Sequence, residues 1–152
     1  MAIAVTGDIG RRSRMEPAFK ELLQKGRSLA SELKLTEAIG LYQKWLKEDR
    51  PNSQDTPLKP AEKSCLAVAY NNLGQLKYLK VDFEGAVEDY NQAILYDPEL
   101  AAAYYNRGTI MYRMGDFNGA VNDMEKATSL NPSNEEFKTG LERARLQLGG
   151  TS

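Results

Sequence analysis

Apolar and polar positions in the middle of the chain follow the period of a helix. Leu76, Leu79, Phe83, Val87 and Ile94 fall on one stripe, and Gly74 is the one breaker between Ala67 and Leu79. The run from Phe83 to Tyr96 follows Asp82, whose carboxylate can accept hydrogen bonds from the free amides of a first turn. Asp97-Pro98 ends that run and opens the next, because proline at a first helical position loses only an amide that has no partner there. The same grammar returns at Asp116 and at Asn131-Pro132. It predicts seven helices, near residues 17–31, 35–48, 63–79, 83–95, 99–113, 117–129 and 134–147, and no strand over 67–134.

The pattern is an internal repeat. Tyr70-Asn71-Asn72-Leu73-Gly74 returns as Tyr104-Tyr105-Asn106-Arg107-Gly108, and Asp82-Phe83-Glu84-Gly85-Ala86-Val87 as Asp116-Phe117-Asn118-Gly119-Ala120-Val121. Tyr78 matches Tyr112, Asp89 matches Asp123 and Ala93 matches Ala127, all at an offset of 34 residues without a gap. A helix pair of this size cannot bury its own apolar stripe, so neighbours must stack on it. Gly74 with Ala86, and Gly108 with Ala120, mark the close approaches between paired helices. Gly85 and Gly119 fit either close packing or a position that needs no side chain.

A weaker copy precedes these two. Setting Gly26 on Gly74 brings Ala38 onto Ala86 and Tyr42 onto Tyr90 at an offset of 48, so 14 residues are inserted. The insertion, residues 50–62, holds Pro51, Pro57 and Pro60 among small polar residues and reads as a loop. Residues 134–148 carry Phe137, Leu141, Ala144 and Leu148 at helical spacing with no second helix behind them, as a terminal cap would. Residues 1–15 and 149–152 read as tails. The domain then covers 16–148, with repeats at about 19–49, 67–100 and 101–134.

These motifs resemble the tetratricopeptide repeat family, whose pattern runs Trp-x2-Leu-Gly-x2-Tyr, Ala-x3-Phe, Pro. The chain supplies Tyr70-x2-Leu73-Gly74-x2-Lys77, Ala86-x3-Tyr90 and Pro98, then Tyr104-x2-Arg107-Gly108-x2-Met111, Ala120-x3-Met124 and Pro132. It departs at Lys77 and Met111, where an aromatic comes one residue later, and at Arg107. The resemblance implies an all-α, right-handed α-solenoid of three helix pairs plus a C-terminal capping helix. It also implies that the first helix of each pair lines a concave groove for a segment of another protein. On that expectation the groove holds Arg27, Asn72, Gln75, Tyr78, Leu79, Asn106, Thr109, Tyr112 and Arg113, with Tyr105 and Asn71 on its edge. Side-chain amides at Asn72 and Asn106 can donate and accept, and so suit a peptide backbone. Against them stands the plainer account that both amides only satisfy solvent and neighbours.

Some members of the family clamp the C-terminal carboxylate of chaperones. Of the matching positions Leu23, Arg27, Asn72, Ala102 and Asn106, only Asn72 carries the residue the clamp needs. A groove close to neutral is expected, which argues against that ligand.

Composition narrows the remaining classes. The chain of 152 residues has a net charge of −1, no histidine and one cysteine, Cys65. Without histidine the commonest general base and metal ligand are missing, and Cys65 has no imidazole to activate it. Glu88-Asp89 reads as a solvated helix face, and no phosphate-binding glycine loop is present. Catalysis, cofactors and metals are therefore not expected, nor is binding to nucleic acid or membrane. A lone cysteine and the absence of a signal-peptide pattern point to an intracellular, cytoplasmic protein, the nucleus remaining open. The alternative to an adaptor is self-association, an end-to-end homodimer through Leu22, Leu23, Leu29, Leu33 and Trp45 of the first pair.

Overall fold

The computed structural model describes residues 16–49 and 57–150. Those residues form seven helices and no strand: α1 (Glu16–Ser31), α2 (Leu35–Glu48), α3 (Pro60–Leu79), α4 (Phe83–Tyr96), α5 (Ala101–Arg113), α6 (Phe117–Leu130) and α7 (Glu135–Gly149). Each helix packs on the next, and α3 also meets α5 as α5 meets α7. The result is three antiparallel pairs stacked in sequence order with α7 covering the last, an all-α helical repeat.

Helix starts follow the side chains available. Asp82 accepts the Gly85 amide at 3.0 Å, Asp116 accepts that of Gly119 at 2.9 Å, and Asn134 accepts that of Phe137 at 3.0 Å. A Cβ on Gly85 would run into the capping carboxylate alone, whereas one on Gly119 would meet both its capping carboxylate and Met111 of the facing α5. Two boundaries differ from the sequence expectation. Residues 60–62, assigned to the insertion, are the first turn of α3: Pro60 sits at its first position, and Glu62 reaches back to the Lys59 amide at 2.8 Å. Conversely α5 starts at Ala101, because the Asp97 carboxylate takes the Glu99 amide at 3.0 Å and holds 97–100 in a turn. The tail expected from 149 begins later, Gly149 being the last residue of α7. The tail 1–15 and residues 50–56 of the insertion lie outside the described residues.

The three turns within pairs share one geometry. Lys34 donates to the Leu29 carbonyl, Asp82 to that of Lys77 and Asp116 to that of Met111, each at 2.9 Å. This six-to-one bond requires a left-handed residue just past the helix. Leu33 (φ 60°), Val81 (φ 64°) and Gly115 (φ 81°) fill the position, and only the third is free of the steric penalty. Val81 is largely exposed, so its side chain offers little packing in return. Val81→Gly should therefore raise stability by about 0.5–1 kcal/mol in denaturant titration; a loss of stability would mean the valine is held by contacts that outweigh the strain.

Between helices, ring size and small residues match each other. Tyr42, Tyr90 and Met124 lie against Gly26, Gly74 and Gly108, so the weak first copy is in register with the strong ones. In the first pair, Phe19 and Trp45 pack at a tilt with centroids 5.2 Å apart, and Tyr105 of α5 stacks on Phe137 of α7 at 4.8 Å. Tyr90 and Ile110 join the middle pair to its neighbour.

Candidate functional site

Residues on the inner faces of α1, α3, α5 and α7 form the candidate groove. Tyr78 and Tyr112 each stand at the end of a first helix and pack on the residue that opens the second, Phe83 at 5.5 Å and Phe117 at 5.4 Å. The Arg113 guanidinium lies over the Tyr78 ring at 5.2 Å, tying α5 to α3 along the groove. Leu79 is half exposed, Gln75 is partly buried, and Arg27 is exposed. Thr109 is less available than its position suggests, since its hydroxyl donates to the Tyr105 carbonyl at 2.9 Å.

The two asparagines are enclosed to different degrees, Asn72 still lining a recess of the groove. Asn106 is fully buried and Asn72 is 7% exposed. Asn106 Nδ2 donates to Asn71 Oδ1 at 3.1 Å, Asn71 Nδ2 reaches Asn72 Oδ1 at 3.5 Å, and Asn72 Nδ2 donates to the Tyr42 hydroxyl at 3.4 Å. Burial raises the Tyr42 pKa, keeping the phenol protonated as a neutral acceptor. A polar chain thus runs from α2 through α3 to α5 inside the molecule. Asn71, expected at the groove's edge, is its fully buried central member. Tyr105, also expected there, is buried against Phe137 and Gly140, and burial, with Glu136 next in effect, raises its pKa.

Asp89 departs likewise from the solvated face expected of it. It is 7% exposed and lies 2.8 Å from Lys77 Nζ, and burial raises its carboxyl pKa despite that ammonium. The groove is also not near neutral. Arg27, Arg113 and Arg143 face it, and among the described residues none has a carboxylate at salt-bridge distance; Glu136 is the acidic group closest in influence, through Tyr105. Net charge along the chain cannot reveal this, because the acidic excess of 67–134 lies largely elsewhere or is paired.

Two recesses open on the groove. The first lies between α1 and α3 over Tyr42, walled by Leu23, Ala30, Leu76 and Leu79 with Asn72 and Gln75, and Arg27 at its rim. The second lies between α5 and α7 over Met124, walled by Tyr105, Thr109 and Tyr112 with Arg143 at its rim. They are repeat equivalents, as Leu23, Ala30 and Tyr42 correspond to Tyr105, Tyr112 and Met124. Ala30 opens the first by standing where later copies have tyrosine. Gly140 opens the second by standing where earlier copies have asparagine. Sequence reasoning missed Ala30, Gly140 and Arg143; carrying the 34-residue register into α7 puts Arg143 under Thr109 and exposes the signal.

Of the residues behind the self-association reading, Leu22 and Trp45 are buried, Leu23 and Leu29 pack on the core, and only Leu33 is strongly exposed. Among the described residues no group of acidic, cysteine or histidine side chains could hold a metal, and no helix is long and apolar enough to cross a membrane.

Residues 82–115 match the family model described as TPR repeat, and residues 101–134 match the tetratricopeptide repeat model. Solved structures extend the likeness to nearly the whole chain. The second TPR domain of human RPAP3, in complex with an HSP70 peptide, is 27% identical, with a TM-score of 0.64 over 82% of this chain and 92% of that one. The Arabidopsis OM64 TPR domain is 23% identical, with a TM-score of 0.69 over 88% and 98%. The TPR2B domain of yeast Sti1, in a complex with an Hsp70 peptide, is 20% identical, with a TM-score of 0.69 over 85% and 97%. The family matches and the shared fold together support tetratricopeptide repeats in this chain.

Proposed function

From tetratricopeptide repeats stacked around an open groove, we propose that this chain is a non-catalytic adaptor that holds an extended segment of another protein against the inner faces of α1, α3, α5 and α7. The observation that carries this is the row of accessible groups on those faces: Leu79 and the arginines Arg27, Arg113 and Arg143, none of which has a carboxylate partner among the described residues, with the half-buried Tyr78 and Tyr112 between them. Rigid aromatics and arginines are the side chains on which interfaces concentrate their binding energy. RPAP3 and Sti1 domains of the same fold are seen with chaperone peptides. The clamp positions speak against a chaperone C-terminal carboxylate here: Leu23 and Ala102 carry no charge, and Asn72 and Asn106 are engaged inside. The order of one weak copy, an insertion and two strong copies also resembles tetratricopeptide repeat protein 32.

Photo-crosslinking tests the groove directly. A benzoylphenylalanine placed at Gln75 should capture a partner in cell extract, and the same group at the exposed Gln92 of α4 should not. Capture from Gln92 alone would move the binding surface to the outer face.

A further inference from the structure

Resting on the groove reading, we infer that the occupant is an internal acidic segment with two anchors: an aliphatic side chain beside a carboxylate at Arg27, and a second carboxylate at Arg143. The arginines divide by location. Arg107 is neutralised by Asp123 through two bonds of 2.8 Å, and Arg145 meets Glu125 at 2.8 Å. Arg27, Arg113 and Arg143, the three on the groove, lack any such partner among the described residues. A guanidinium presents a planar fork that matches a carboxylate with two parallel hydrogen bonds, which gives direction as well as attraction.

The recesses beside the outer two arginines are both mainly apolar but differ in lining. Leu23, Ala30, Leu76 and Leu79, with Asn72 and Gln75, line the first, fit for an aliphatic side chain. Tyr105, Tyr112 and Met124 make the second aromatic, and the Thr109 hydroxyl already donates to the Tyr105 carbonyl, so a carboxylate there pairs with Arg143. Arg27 stands on α1 and Arg143 on α7, so their spacing follows from helix packing. Three steps of roughly 10 Å between neighbouring inner helices give about 30 Å. At about 3.3 Å per residue, an extended chain covers that in about nine residues. Arg113 on Tyr78 lies midway and favours further negative charge between the anchors. A chain terminus supplies one main-chain carboxylate at one point, whereas this groove offers cations at both ends, so the segment need not end there.

A randomised peptide library, acetylated and amidated at its ends and long enough to span both recesses, tests this on the full chain. Amide shifts of Gln75 and Thr109 against those of Gln92 report where each peptide sits. The expected selection is Asp or Glu at two positions about nine residues apart, with an aliphatic residue beside the first. The double variant R27E/R143E, altered only at exposed positions, should bind those peptides at least about tenfold more weakly and select lysine and arginine in their place. Selection of neutral or basic peptides that still shift Gln75 and Thr109 overturns the acidic assignment and leaves the groove reading standing. Enrichment only in a parallel library with free C-termini does the same. Peptides that shift Gln92 alone, or no enrichment in either library, overturn both.

Discussion

Gly74→Leu is expected to lower the melting temperature by roughly 10 °C, from about 3 kcal/mol of overpacking at 2–4 °C per kcal/mol in a domain of this size. A Cβ at position 74 would stand 2.7 Å from Cε1 of Tyr90 and 3.1 Å from the Ala86 carbonyl oxygen. Neither neighbour can retreat: Tyr90 is fully buried, and Ala86 belongs to the backbone of α4. Leucine must therefore part α3 from α4 at the centre of the stack. Gly108→Leu should cost less, since a Cβ there first meets Asp123 Cβ at 3.1 Å and the more pliable Met124 Cγ at 3.2 Å. Gly40 is the control. It lies exposed within α2 with no atom inside 4 Å, so Gly40→Ala should stabilise by about 0.5–1 kcal/mol through helix propensity alone. A Gly74→Leu protein that melts like its parent would mean that α3 and α4 are not in contact there.

The second large effect lies in the buried amide chain. Removing Asn106 leaves the fully buried Asn71 Oδ1 without the 3.1 Å bond it accepts, and removing Asn71 takes that same bond from Asn106 Nδ2. Each change to alanine should cost about 2 kcal/mol, an unsatisfied polar group plus a cavity. Removing both should cost clearly less than the sum, with a coupling of about 0.5–3 kcal/mol in a double-mutant cycle. Chemical denaturation of the parent, two single variants and the double variant measures it. Strict additivity would show that the pair does not interact. Asn72→Ala with Asn106→Ala, which treats both asparagines as groove groups, is for the same reason a stability experiment: a weaker partner after that change would report a loosened fold.

The chain's own pattern determined the architecture. A 34-residue period, paired glycine and alanine positions, and aspartates before Phe83 and Phe117 are local or strictly periodic signals, and they placed six of seven helix starts within two residues. The exception, α3, had its signal too: Pro60 followed by Glu62 is a helix opening, masked by the polar, proline-rich residues before it. Even the register of the weak first copy was legible, because Gly26 and Tyr42 repeat the ring-on-glycine contact of Gly74 and Tyr90.

Which groove residues are free was decided only by tertiary structure. Asn72 and Asn106 sit on groove-lining helices at repeat-equivalent positions, yet a residue on a helix can point along the groove or into the neighbouring helix. A difference of one residue, about 100° around the axis, separates the two. Here the packing of α5 on α3 turned Asn106 inward to Asn71, and that of α2 on α3 set Asn72 against the Tyr42 hydroxyl. The charge of the groove was hidden likewise. The sequence presents 20 basic and 21 acidic residues as nearly balanced, and only the packing pairs Arg107 with Asp123 while Arg27, Arg113 and Arg143 face the groove with no carboxylate partner among the described residues. The recesses follow from single exchanges, Ala30 for tyrosine and Gly140 for asparagine, whose empty volume has meaning only once two helices from different repeats stand side by side. Periodicity fixes what recurs from one repeat to the next, whereas a site is made where the copies differ, and the use of each difference depends on neighbours distant in the chain.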